Sequence, residues 1–389
     1  MSYASMQLDD AVGAFPWRFS HIPERQFNWL MAAGMGPLLY RGTWQQAKLL
    51  PEQWRAPLHG AHLTAQVVNG NLVDTASHVI DICLGRSVPV TLLKGISTSE
   101  EFYPAAHLRP MGDIDLLLPP DRYAEIEAAL LQNNFLQPAY DHGEEGAPYH
   151  GPPLYDARRR VWVELHTSLF PSSSGLLDNT LFKAETIACE TRPSKFRGRN
   201  VYRLSRELQL IYVASSWIRD MTTHRINPSF VPSLFDAIYL LKASALTMDW
   251  QRVVGLLDNE LAAASLHVML RFLERHRLFH VDARVMSRIA ASQRLVGSLQ
   301  DFFIQWMLDR NLAGGRYWNL AFPPPVPGRY SARRQWQKRH RLLRLPWLER
   351  LVRGCQPVSR RCAGRASHAW PASVRRAARP PGDGLDLPV

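Results

Sequence analysis

Cysteine is scarce in this chain. Cys83, Cys189, Cys355 and Cys362 are scattered over 389 residues, which excludes a disulfide framework and the closely spaced sets that hold zinc. Long apolar runs are also missing. No stretch approaches the roughly 18 to 20 residues of a membrane-spanning helix, so no transmembrane segment is expected. The opening residues MSYASMQLDDAVGAF carry no basic cluster ahead of an apolar stretch. They do not read as a secretory signal, and a reducing cytoplasm is the expected compartment. The body of the chain lacks charge excess of either sign. The formal net charge is +12, yet residues 329–389 alone hold 15 Lys/Arg against 3 Asp/Glu, leaving 31 of each before them. The basicity belongs to the tail and is no argument for nucleic acid on the folded body. No internal repeat is visible.

The apolar content of 46% and charged content of 21% suit a globular protein with a substantial core. Residues 1–87 read as a helical region. Between Leu58 and Leu84, Leu63, Val67, Val68, Leu72, Val73, Ala76, Val79, Ile80 and Cys83 recur at steps of three and four, the pattern of an amphipathic helix. Val88-Pro89-Val90-Thr91-Leu92-Leu93 is short and apolar and predicts a strand closed by Lys94-Gly95, with a short helix over 97–102. Asp121 is placed to cap a helix over 122–133 with Ile126, Leu130 and Leu131 inward. The Gly-, Pro- and His-rich stretch 138–153 reads as a loop or turn region. From Ser205 the pattern is helical again, with helices expected over 233–245, 250–261, 266–279 and 298–312. Pro323-Pro324-Pro325 breaks the chain.

The most informative residues are Arg109-Pro110-Met111-Gly112-Asp113-Ile114-Asp115-Leu116-Leu117-Leu118. In a strand, residues i and i+2 share a face, so Asp113 and Asp115 project side by side at the start of a buried strand. Two like charges that close repel and resist desolvation unless a cation lies between them. Hard carboxylate oxygens suit Mg²⁺. Val161-Trp162-Val163-Glu164-Leu165-His166 is a second strong strand, with Trp162, Glu164 and His166 on one face and Val161, Val163 and Leu165 on the other. Glu164 offers a third carboxylate. Two cations held about 3.5 to 4 Å apart by such acids stabilise both the attacking and the leaving oxygen of a phosphoryl transfer. Bland readings stay open: the aspartates could solvate a strand edge, Glu164 could pair with one of Arg158 to Arg160, and His166 could be a packed core histidine. Asp236, inside its helix, is expected to face the catalytic core or an arginine.

The segment LLKGISTSEEFYPAAHLRPMGDIDLLLPPDRYAEIEAALLQNNF, with VWVELH about fifty residues after the aspartates, resembles the uncharacterised bacterial nucleotidyltransferases of the polymerase-beta-like superfamily. The resemblance covers roughly residues 20 to 290. It rests on Lys94-Gly95 after the first strand, Arg109 before the Asp-x-Asp strand, and Glu164-Leu165-His166. It implies an α+β fold: a small mixed nucleotidyltransferase-type sheet with flanking helices, then a helical domain. The expected divisions are 1–87, 88–200 (catalytic core), 201–322 (helical) and a Pro/Arg-rich basic tail, 323–389.

The implied activity moves a nucleoside monophosphate from a nucleoside triphosphate such as ATP to an acceptor hydroxyl, with two Mg²⁺ ions. Asp113, Asp115 and Glu164 would hold metal and act in catalysis. Lys94, Gly95, Ser97, Arg109 and His166 would bind the nucleotide. The acceptor, whether small molecule, saccharide or protein, is not named by the resemblance. The wider superfamily places Gly-Ser after the first strand, whereas this chain has Lys94-Gly95-Ile96-Ser97. That departure keeps a second reading open, a non-catalytic nucleotide- or partner-binding member. A third reading is an RNA-modifying polymerase-like enzyme. Residues 329–353 alternate arginines with Trp336, Leu342, Leu343, Trp347 and Leu351, a pattern that suits an anionic surface. Disorder is expected from about residue 355.

Overall fold

The computed structural model describes residues 24–43, 51–138, 150–223 and 230–314. The expectations for the tail, for residues 1–23 and for most of the 138–153 loop lie outside them. Within them the architecture is the expected α+β one, a mixed sheet with helices against it and more helices after it. The chain runs through α1 (Glu24–Ala32), α2 (Gly36–Thr43), α3 (Glu52–Leu84), β1 (Thr91–Leu92), α4 (Lys94–Phe102), β2 (Asp113–Leu117) and α5 (Tyr123–Gln132). It continues with β3 (Phe135–Leu136), β4 (Leu154–Asp156), β5 (Val161–His166), α6 (Ala184–Cys189), β6 (Thr191–Phe196) and β7 (Arg199–Leu204). Helices α7 (Arg206–Thr223), α8 (Phe230–Ala243), α9 (Trp250–Leu256), α10 (Glu260–Arg275), α11 (Ala283–Ala291) and α12 (Ser298–Gly314) complete it. No described helix is long and apolar enough to cross a membrane.

The seven strands are ordered β3-β4-β5-β2-β1-β7-β6. β2 lies parallel to β5 and antiparallel to β1. Side chains alternate between the faces, so each central strand serves two environments. Ile114, Leu116, Leu118, Val161, Val163 and Leu165 join a buried cluster with Leu72, Ala76, Val79 and Ile80 of α3 and Ile126 and Leu130 of α5. Burying each such side chain contributes about 1.5 to 3 kcal/mol. The opposite face, which carries Asp113, Asp115 and Leu117, turns to the second cluster, built by α1, α2 and the helices after β7.

Several element boundaries depart from the sequence reading. β1 is only two residues long; Pro89 has no N–H to give a ladder, although Tyr202 N–H donates to Val90 O at 2.8 Å. Helix α4 starts at Lys94 rather than at 97. The stripe on α3 is covered at its two ends. Trp54 stacks on Phe27 at 4.3 Å near one end, and the sheet takes over from Leu72, but Leu63, Val67 and Val68 between them are exposed. Asp121 lies in a short 3-10 turn and caps nothing, and Leu131 is exposed while Ala129 is buried. The helix expected over 250–261 stops at Leu256, because Asn259 caps the next one by accepting from Leu261 and Ala262 N–H.

The hairpin β6–β7 was not anticipated. Its turn is Arg197-Gly198 with φ of 47° and 83°, the positive-φ pair that a two-residue hairpin of this hand requires. Pro193 sits in the edge strand, where a missing N–H is tolerated.

Candidate active site

The register of two strands builds the site. Parallel pairing of β2 with β5 puts Asp115 beside Glu164 and Leu117 beside His166. The shared face therefore gathers Asp115, Glu164 and His166, whose ligand atoms all lie within 4.8 Å of one another. Asp113 is on the same face two residues earlier, at the half-buried mouth of the strand. It stands outside that tight trio.

Asp115 is only 2% exposed, and two cations or donors meet one of its oxygens. Lys94 Nζ lies 2.5 Å from Oδ1. His166 Nε2 lies 2.8 Å from the same oxygen and 3.5 Å from Glu164 Oε2. A carboxylate only accepts, so His166 carries its proton on Nε2 and donates. Burial alone would raise the Asp115 pKa, but Lys94 and the His166 hydrogen bond outweigh it and hold this carboxyl well below the usual range. Lys94 is pushed upward in turn: burial opposes its charge, and Asp115 more than compensates. His166 is raised, burial being outweighed by its bonds to Asp115 and Glu164. Glu164 is lowered, because the His166 bond and Lys94 overcome burial and the Asp115 charge.

Asp113 behaves in the opposite way. Burial, then the like charges of Asp115 and Glu164, push it up to about 7, with Lys94 and Arg109 only partly opposing them. Three carboxylates thus converge on one end of the sheet, and the protein's own cations satisfy one of them best.

Arg109 reaches the helical half. It forms a two-pronged ion pair with Asp236 of α8, Nη2 to Oδ2 at 2.8 Å and Nε to Oδ1 at 3.2 Å. Tyr103 Oη and Thr98 Oγ1 also donate to Asp236 Oδ1, at 2.8 and 3.1 Å. Asp236 therefore meets the arginine partner expected for it, and it pins the loop ahead of β2. Gly95 makes room for this: a Cβ there would lie 2.4 Å from Arg109 Nη1 and 2.8 Å from Met111 Cγ.

The remaining candidates fall in two groups. Lys94 and Gly95 lie beside the acids, as the first turn of α4. Ser97 does not present its hydroxyl: it is buried, with Arg203 of β7 donating to its carbonyl oxygen. His166 is fully buried behind the carboxylates, which suits orienting them better than touching a ligand. Glu164 has no ion pair to the arginines at 158–160; Arg159 pairs with Asp156 instead. Tyr212 of α7 was missed. It lies close enough to act on the Lys94 charge, and it packs edge-on to Phe170 and Phe182. A tyrosine inside an amphipathic helix gives no sequence signal of its own.

The chain matches the family described as uncharacterised nucleotidyltransferase over residues 23–277, well over half its length. It belongs to that family. The match spans α1 through α10 and includes every residue of the acid cluster. Two solved structures are similar at a distance. The antibiotic-resistance factor ANT(2'')-Ia is 16% identical, with a TM-score of 0.33, 54% of this chain covered and 97% of that one. An antigenic nucleotidyltransferase-like protein from Paracoccidioides brasiliensis is 13% identical, with a TM-score of 0.38, 58% of this chain covered and 94% of that one. Likenesses this remote carry no argument about the site. No curated protein matches the chain.

Proposed function

We propose that this nucleotidyltransferase-family chain transfers a nucleoside monophosphate from a nucleoside triphosphate to an acceptor hydroxyl, using divalent metal at Asp115, Glu164 and Asp113. The observation that carries the reading is the pairing of Asp115 with Glu164 on two parallel strands, with Asp113 on the same face two residues earlier and pushed up by burial and then by these acids. The donor set fits a hard cation: the oxygens are carboxylate, Asp115 and Glu164 lie side by side on paired strands, and their negative charge exceeds what Lys94 balances. Two Mg²⁺ ions are the expected complement. When bound, Mg²⁺ would stabilise charge on the transferring phosphoryl group and favour ionisation of the acceptor hydroxyl.

The chain's own groups do the rest. His166 fixes the rotamers of Asp115 and Glu164, so that their oxygens are aimed before a ligand arrives. Gly95 lets Arg109 pass close to the first turn of α4, where its guanidinium, oriented by Asp236, would offset charge on the phosphates. Lys94 is the point charge nearest the acids and the natural phosphate contact.

The test uses the full chain with Mg²⁺, triphosphates labelled at the α-phosphorus and a small-molecule extract as acceptor pool. Label should move to an acceptor, and Asp115→Asn should abolish that movement. Triphosphate binding with no label transfer to any acceptor would instead favour the non-catalytic reading, which the burial of Ser97 supports.

A further inference from the structure

The acid cluster already holds one cation, and it belongs to the protein. Lys94 Nζ and His166 Nε2 converge on the same oxygen of Asp115. Lys94 reaches it from a backbone φ of 41°, a left-handed conformation that interrupts the alternation just where β1 ends. Asp115 is sealed, whereas 26% of the Lys94 side chain is exposed, so the lysine lies on the outer side of the pair. A divalent cation seated among Asp115, Glu164 and Asp113 would be repelled by the ammonium at this oxygen.

We propose that Lys94 is the resident counter-ion of the acid cluster: a divalent cation displaces it from Asp115, and it then turns to the phosphates of the incoming donor. The idea rests on the metal-dependent reading above. Its consequence is an order of events. A lone divalent ion binds weakly, because it must strip Lys94 of its partner. An ion arriving with a polyphosphate binds well, because the phosphates receive the displaced ammonium. The cluster is thereby kept intact before substrate arrives, and metal and donor are coupled through one side chain.

The test uses Mn²⁺ as the probe, followed by electron paramagnetic resonance on the full chain without nucleotide. Lys94→Met keeps the stem and removes the charge. Lys94→Gly removes both and suits the positive φ, which guards against misfolding of the first variant. Both should bind free Mn²⁺ at least about tenfold more tightly than the wild type, a coupling of ordinary size. In the wild type, acylation of the Lys94 amine, read by mass spectrometry, should rise with Mn²⁺ and fall again when inorganic triphosphate is added with it. Mn²⁺ binding that Asp115→Asn abolishes but neither Lys94 variant strengthens would overturn the counter-ion role alone. No Mn²⁺ binding by the wild type or either Lys94 variant would overturn the metal reading and this inference with it.

Discussion

Two aspartates of one sheet, Asp156 and Asp113, meet opposite fates. Asp156 ends β4 and is surrounded by donors: Thr75 Oγ1 and Arg159 Nη1 at 3.0 Å, and the backbone N–H groups of Arg158 and Arg159 at 3.1 Å. Burial raises its pKa, but the Arg159 and Thr75 bonds outweigh that and hold it low. Asp113 opens β2 beside Asp115 and Glu164, and burial, then these like charges, drive it up to about 7. One acid is completed by its own chain. The other faces acids that Lys94 and Arg109 only partly offset, and in the proposed reading a bound cation would complete it. That contrast, more than acidity itself, separates a structural carboxylate from a ligand-binding one.

The same division runs through single strands, and the strongest way to break it is on the dry face. Leu116→Ala leaves a cavity between sheet, α3 and α5 and should cost about 2 to 5 kcal/mol in urea unfolding. One residue earlier, Asp115→Asn should cut nucleotidyl transfer by at least about 10² to 10³-fold, the scale of losing one preorganised electrostatic group. Its circular dichroism should stay native. Gly95→Ala forces Arg109 aside and should cost about 1 to 3 kcal/mol, as overpacking does. A double-mutant cycle with Asp236→Asn should show the two losses to be non-additive.

The smallest effect sharpens the comparison through pH. The folded Asp156 pKa lies below its unfolded value, so its stabilisation is fully present above about 4 and is lost as pH falls through the folded value. Asp156→Asn should therefore lose about 1 to 3 kcal/mol in urea unfolding at pH 6. The gap between variant and wild type should narrow at pH 3.

Much of this division is legible in the sequence. The β5 strand and the assignment of its faces follow from strict alternation in VWVELH, and Val163 and Leu165 are indeed buried opposite Glu164. The pairing of Asp115 with Glu164 was not legible, because register is a tertiary property. The Lys94–Asp115 and Arg109–Asp236 contacts join residues 21 and 127 apart, and no local pattern encodes them. Ser97 illustrates the reverse failure: its position after the turn suggested a phosphate contact, and the helical turn at Lys94 carries it inward to Arg203. The β6–β7 hairpin escaped because its polar edge strand contains Pro193 and its turn lacks the usual Asn-Gly.

The central claim is that the Asp115–Glu164 cluster is a metal-dependent nucleotide site. Calorimetric titration of the full chain with each nucleoside triphosphate, in Mg²⁺ and in EDTA, beside the Asp113→Asn/Asp115→Asn double variant, tests it most directly. The account predicts binding that needs Mg²⁺ and disappears in the folded variant. Binding unchanged by EDTA and by the substitutions, or none to any triphosphate, would contradict it.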